Sequence, residues 1–146
     1  MLPFLYNCLL DRDRSVRNSA LLAISNFGPQ GELMFIEGVT KEANPNIRVE
    51  CAKGLGRIGP TTFRTLILTL HDPHPAVREA ACTAILRNMT AESVYKCFED
   101  KEHQRQSLFC SVQEVIMSDN VVNISSDIYN FLSNLAHMLE DRLASI

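Results

Sequence analysis

Apolar residues recur along the chain in short bursts separated by polar breaks. Val16, Ala20, Ala23, Ile24 and Phe27 stand at relative positions 0, 4, 7, 8 and 11. At ~100° per residue these positions form one narrow stripe, which predicts an amphipathic helix. Ile47, Cys51, Leu55 and Ile58 repeat the stripe, and Val77, Ala81 and Ile85 repeat it again. Leu33, Ile36 and Thr40, then Phe63, Leu66, Ile67 and Leu70, are spaced for a helix preceding each of the last two. Glu42-Ala43-Asn44-Pro45 and Asp72-Pro73-His74-Pro75 are turn sequences between the members of each pair. Gly28-Pro29 and Gly59-Pro60 end one pair and open the next, as a terminal glycine followed by proline does.

The pairs superpose as an internal repeat. Arg17, Arg48 and Arg78 fall in one column, with steps of 31 and 30 residues, and Asp11, Glu42 and Asp72 precede them by six. Extended backwards, the alignment pairs Leu2 with Leu33 and Phe63, Leu5 with Ile36 and Leu66, and Leu9 with Thr40 and Leu70. Ala20, Cys51 and Ala81 are small residues in one column, which predicts close approach of neighbouring helices.

The motif Asp-x-x-x-x-x-Arg, with valine or isoleucine before the arginine and a small residue three after it, resembles the HEAT repeat. The period and the proline-containing turns are most similar to the short HEAT-like repeats of the phycobilisome-lyase type, and the resemblance covers about residues 1–89. It implies an all-α fold: a right-handed α-α superhelix, a HEAT/armadillo-like solenoid of three to four helical hairpins. It further implies that Asp11, Glu42 and Asp72 cap the second helices. Arg17, Arg48 and Arg78 would then bridge to the next repeat as a structural ladder. A carboxylate is favourable at a helix N-terminus on dipole grounds, and a constellation that recurs in every repeat reads as architecture.

Beyond Met89 the pattern weakens. Val94, Cys97 and Phe98 predict a helix over 91–98, and Leu108, Val112, Val115 and Ile116 a partner over 107–117. Phe109 then holds the arginine column, so this hairpin reads as a degenerate repeat. The repeat units are placed at about 1–28, 29–59, 60–89 and 90–117. Residues 118–146 read as a linker and an amphipathic helix from about Asp127 to Ala144, N-capped by Ser125 or Ser126. Its apolar face carries Ile128, Phe131, Leu132, Leu135, Met138, Leu139 and Leu143. Repeat arrays need a capped end, and this helix is expected to supply it. No equivalent cap opens the chain, which fits a fragment or short isoform of a longer solenoid, or a chain that meets a partner at that end.

The composition is globular: 46% apolar, 21% charged, net charge −3. It carries no basic excess for nucleic acid or anionic membranes and no run of the ~18 apolar residues a membrane span needs. The apolar Met1–Leu10 lacks the basic flank and cleavage site of a signal peptide. Asn88-Met89-Thr90 and Asn123-Ile124-Ser125 match glycosylation triplets but carry no weight without a secretion signal. Five cysteines without tight spacing fit a reduced compartment, and the expected location is the cytoplasm.

Candidate chemistry is sparse. His71 and His74 flank the Asp72 turn, but no third ligand stands at metal spacing, and His103 and His137 lie elsewhere. The His-Glu pairs of HEAT-like di-iron hydroxylases do not occur. Cys8, Cys51, Cys82, Cys97 and Cys110 lie in apolar segments, where cysteine acts as a small hydrophobe. Gly54-Leu55-Gly56-Arg57-Ile58-Gly59 follows no strand and departs from the dinucleotide spacing. We therefore assign no catalytic, cofactor or metal residue and no cofactor. In solenoids of the resembled family the second helices line the concave side. There Leu22, Val49 and Leu86 are expected as exposed apolar points, with Lys53, Thr83, Arg57 and Arg87 beside them. Such a mixed surface suits a segment of another protein. The expected function is a non-enzymatic interaction scaffold or adaptor whose partner is a protein, with no nucleic acid and no membrane. The alternative, also drawn from the resemblance, is a metal- or chromophore-handling enzyme of the lyase or hydroxylase type.

Overall fold

A computed structural model describes residues 2–118 and 126–144. The elements are α1 (Leu2–Asn7), α2 (Arg14–Ser25), α3 (Pro29–Lys41), α4 (Pro45–Ile58), α5 (Phe63–Thr69), α6 (Pro75–Asn88), α7 (Ala91–Phe98), α8 (Glu102–Ile116) and α9 (Ser126–Ala144). Short 3₁₀ turns, Cys8–Leu10 and Pro60–Thr62, follow α1 and precede α5. No strand occurs among the described residues, and the fold is an all-α solenoid. Proline opens α3, α4 and α6 at a position whose N–H has no helical partner. Gly28 at φ 69° and Gly59 at φ 117° make the two turns that L side chains rarely adopt. The Thr62 hydroxyl donates to the Leu55 and Gly59 carbonyls at 2.7 and 2.8 Å, satisfying the frayed end of α4.

The second helices are capped differently from the expectation. Asp13, Asn44 and His74 are the N-caps, each accepting from the backbone N–H two residues on. Asp11 and Asp72 lie two residues before their caps and accept the N–H of Asp13 and His74, at 2.8 and 2.9 Å. They therefore shape the turn rather than end the helix, while Glu42 accepts the Tyr6 hydroxyl at 2.6 Å.

The buried stripe of α4 and α6 follows the sequence pattern: Ile47, Cys51 and Leu55, then Val77, Ala81 and Ile85, are all buried. In α2, Ala20 and Ile24 are buried and Val16 and Ala23 half-buried. Phe27 departs from the expectation at 40% exposed, because α2 stops at Ser25 and Phe27 lies in the turn beyond it. The first helices correct the alignment itself. Leu33 is 59% exposed and Thr40 is exposed, whereas Gly31, Phe35, Gly38 and Val39 are buried. A step of 31 aligns these with Thr62, Leu66, Thr69 and Leu70, all of them buried. The step of 30 holds only from the acidic column onward, so one residue is lost in the turn between α5 and α6. Close packing imposes the register. Phe35 lies against Gly54, and Gly38 against Cys51, where any side chain on the glycine would collide.

Beyond α6, Val94 and Phe98 of α7 pack with Leu108, Val112 and Val115 of α8, and Cys97, Phe109 and Ile116 are half-buried. α8 starts at Glu102, five residues before the expected Ser107, because its first turn is polar and mostly exposed. The exception is Arg105, buried with its Nε unpartnered. α9 begins at Ser126, and Ser125 lies outside the described residues. It packs on α6, α7 and α8 and buries Ile128, Leu132, Leu135, Ala136 and Leu139. Phe131 reaches further and stacks on Phe63, ring centroids 5.9 Å apart. Phe131 and Met138 are half-buried, and the side chain of Leu143 lies outside the described residues.

Candidate functional site

The arginine column makes one contact three times. Arg17 Nη1 donates to the Asp11 and Arg12 carbonyls at 2.7 and 3.1 Å. Arg48 Nη1 donates to those of Glu42 and Ala43, both at 2.9 Å, and Arg78 Nη1 to those of Asp72 and Pro73 at 2.7 and 3.1 Å. Each guanidinium thus ties down its own inter-helix turn. The bridge to the next repeat is less regular. Arg48 forms the full fork, with Nε and Nη2 on the two oxygens of Asp72 at 2.9 and 3.2 Å. Arg17 reaches Glu50 of α4 instead, at 3.6 Å, and Lys53 shares that carboxylate at 3.2 Å. Arg78 Nε is buried with no hydrogen-bond partner; Glu102, as far along the chain from Arg78 as Asp72 is from Arg48, is exposed and forms no ion pair with it. Glu50 and Tyr6 were not legible as ladder members. Only stacking brings α4 beside α2, and α1 beside the turn after α3.

Stacking also creates a cleft of about 550 Å³ across α2, α4 and α6. Positions four apart on α4 present Val49, Lys53 and Arg57 to it, and α6 presents Ala76, Glu79, Ala80, Thr83, Ala84, Arg87 and Asn88. Arg14, Asn18 and Leu21 close it from α2. Five of the surface residues expected from sequence therefore meet here: Val49, Lys53, Arg57, Thr83 and Arg87. Leu22 and Leu86 do not. They are exposed, at 53% and 38%, outside the lining. Gly56 is buried where α4 meets α6. A Cβ there would stand 2.7 Å from that of Ala84. Arg14 was missed because it belongs, in sequence, to the charged break Asp11-Arg12-Asp13-Arg14. Helical phase places Asn18 and Glu79 opposite the buried stripes, and both line the cleft.

Of the remaining sulfur and imidazole groups some are packed in the fold, and others, Cys110 among them, are exposed. Cys51 and Cys82 are buried in α4 and α6. Burial, reinforced by nearby carboxylates, pushes their thiols up to about 12 and about 11, so both stay protonated at neutral pH. His74 Nδ1 accepts the Ala76 N–H at 3.1 Å as the cap of α6, while His71, His103 and His137 are exposed. Among the described residues no three His, Cys, Asp or Glu side chains converge as a metal site. None of the described helices is long and apolar enough to cross a membrane. Gly54 and Gly56 lie inside α4, packed on Phe35 and Ala84.

A family model of HEAT repeats matches residues 32–100, spanning α3 to α7. With the paired helices and recurrent arginine contacts, this shows that the chain contains HEAT repeats. No curated protein and no solved structure matches it.

Proposed function

We propose that the chain is a non-enzymatic scaffold or adaptor that holds a segment of another protein in the α2–α4–α6 cleft. The cleft carries the reading. It is the place where Val49, Leu21, Ala80 and Ala84 offer apolar contact beside the polar side chains of Lys53, Arg57, Thr83 and Arg87. The ladder groups are engaged with their own turns, and Cys51 and Cys82 are packed and protonated, so these are accounted for by architecture. A cytoplasmic location accompanies the proposal, supported by five free cysteines.

A photo-crosslinking residue at Thr83, compared with one at the exposed Leu68 of α5, tests it in the native cell. Discrete protein adducts at Thr83 and not at Leu68 are the expected result. Identical adducts at both positions would remove the cleft from the function. A metal or an absorbing chromophore retained by the purified chain at a stoichiometric level would favour the enzymatic alternative.

A further inference from the structure

The charge of the cleft is opposite to that of the chain. Lys and Arg number 14 against 17 Asp and Glu overall. The cleft lining, by contrast, has four cations, Arg14, Lys53, Arg57 and Arg87, and one anion, Glu79. Lys53 already shares Glu50 with Arg17. Among the described residues no carboxylate lies within ion-pairing distance of Arg14, Arg57 or Arg87. The cations that do form ion pairs among these residues include Arg17, Arg48, Lys53 and Lys96.

Local helix physics explains part of this. Arg57 and Arg87 stand in the last turns of α4 and α6, where a cation offsets the negative end of the helix dipole. It does not explain why they share a cleft without an ion-pair partner. The repeat step of 30 places them in one column of neighbouring helices, two like charges that an anion between them would relieve.

We infer that the segment held in the cleft is an acidic peptide, its carboxylates seated at the Arg57–Arg87 end; this rests on the scaffold reading above. The guanidinium fork matches a carboxylate with two donors. Leu21, Val49, Ala80 and Ala84 form a narrow floor that accepts small apolar side chains between the acids. Glu79, near the first turn of α6, repels a carboxylate beside it and so favours the acids at the Arg57–Arg87 end. The lining contains no aromatic ring on which a base could stack, which separates this cleft from a single-stranded nucleic-acid channel.

The test is fluorescence anisotropy with three labelled probes. One is a peptide of about twelve residues alternating Glu with Ala and Leu, one is its Gln counterpart, and one is a single-stranded oligonucleotide of similar length. The acidic peptide is expected to bind, to weaken as salt rises, and to exceed the Gln peptide by about tenfold or more. Arg57→Gln with Arg87→Gln, both exposed positions, should lose that advantage while circular dichroism stays unchanged. Arg64→Gln on α5 should keep it. Equal binding of the Gln peptide, tighter binding of the oligonucleotide, no binding of the acidic peptide, or retention by the double variant would each overturn the inference. Thr83 adducts separate the two readings. If they persist but map to neutral or basic segments, the acidic inference fails and the scaffold stands. If they vanish, both fail.

Discussion

Replacing Arg48 by alanine probes the ladder where it is most complete. The side chain is 13% exposed and its partner Asp72 is 8% exposed. Four hydrogen bonds disappear: two to the Asp72 carboxylate and two to the carbonyls of Glu42 and Ala43. What remains is a nearly buried carboxylate that keeps one backbone N–H, that of His74. Breaking a buried pair from one side costs about 3–5 kcal/mol, and the residual exposure places this case near the low end, about 3 kcal/mol. For a chain of this size each kcal/mol moves the midpoint by roughly 3 °C, so thermal melting should fall by about 9 °C. Arg17→Ala gives the internal comparison. It loses the same two carbonyl bonds, but its ion pair is 3.6 Å long, and the cost should be about 1–2 kcal/mol. Arg57→Ala, exposed at the cleft, should stay within about 0.5 kcal/mol. A double-mutant cycle of Arg48→Ala with Asp72→Ala isolates the bridge, with an expected coupling of about 2 kcal/mol. A coupling near zero, or equal costs for Arg48→Ala and Arg57→Ala, would refute the view that Arg48 joins adjacent repeats.

Three further outcomes follow from the packing and the charges. Gly56→Val places a branched side chain against Ala84 and Asn88 and should destabilise the chain by about 1–3 kcal/mol, read by chemical denaturation; a neutral result would mean that α4 and α6 are not in close contact. The Tyr6 phenol is raised above its usual 10.0, first by burial and then by its hydrogen bond to Glu42. Its contribution is therefore complete below pH 10 and lost as pH rises through the higher folded value. Ultraviolet titration should show a late-ionising phenol that disappears in Tyr6→Phe. A chain ending at Ser118 loses α9 and uncovers apolar side chains of α7, α8 and Phe63, so light scattering should report aggregation; an unchanged monomer would make α9 a detachable arm.

How much of this was legible in the sequence varies by element. The second helices could be read nearly residue by residue, because burial there follows helical phase and phase is written in the spacing of Ile47, Cys51 and Leu55. The arginine column was equally plain, since a side chain that ties down its own turn needs only a fixed distance along the chain. The helix caps were misplaced by two residues. An acid two residues ahead of the cap looks as good a cap in sequence as the Asp13, Asn44 or His74 that fills the place, and only hydrogen bonding tells them apart. The first-helix register slipped by one. Leu33 looks more buriable than Gly31 or Gly38, yet close contact with Ile24 and Cys51 requires the glycines inward. Val49, Lys53, Arg57, Thr83 and Arg87 were legible as surface positions, but their meeting in one cleft was decided by tertiary structure. Arg14, Val49, Glu79 and Arg87 come from three helices and share no motif. Local spacing determines which face of each helix is apolar, whereas the stacking of one hairpin on the next decides which charges are neutralised and which are left facing a common space.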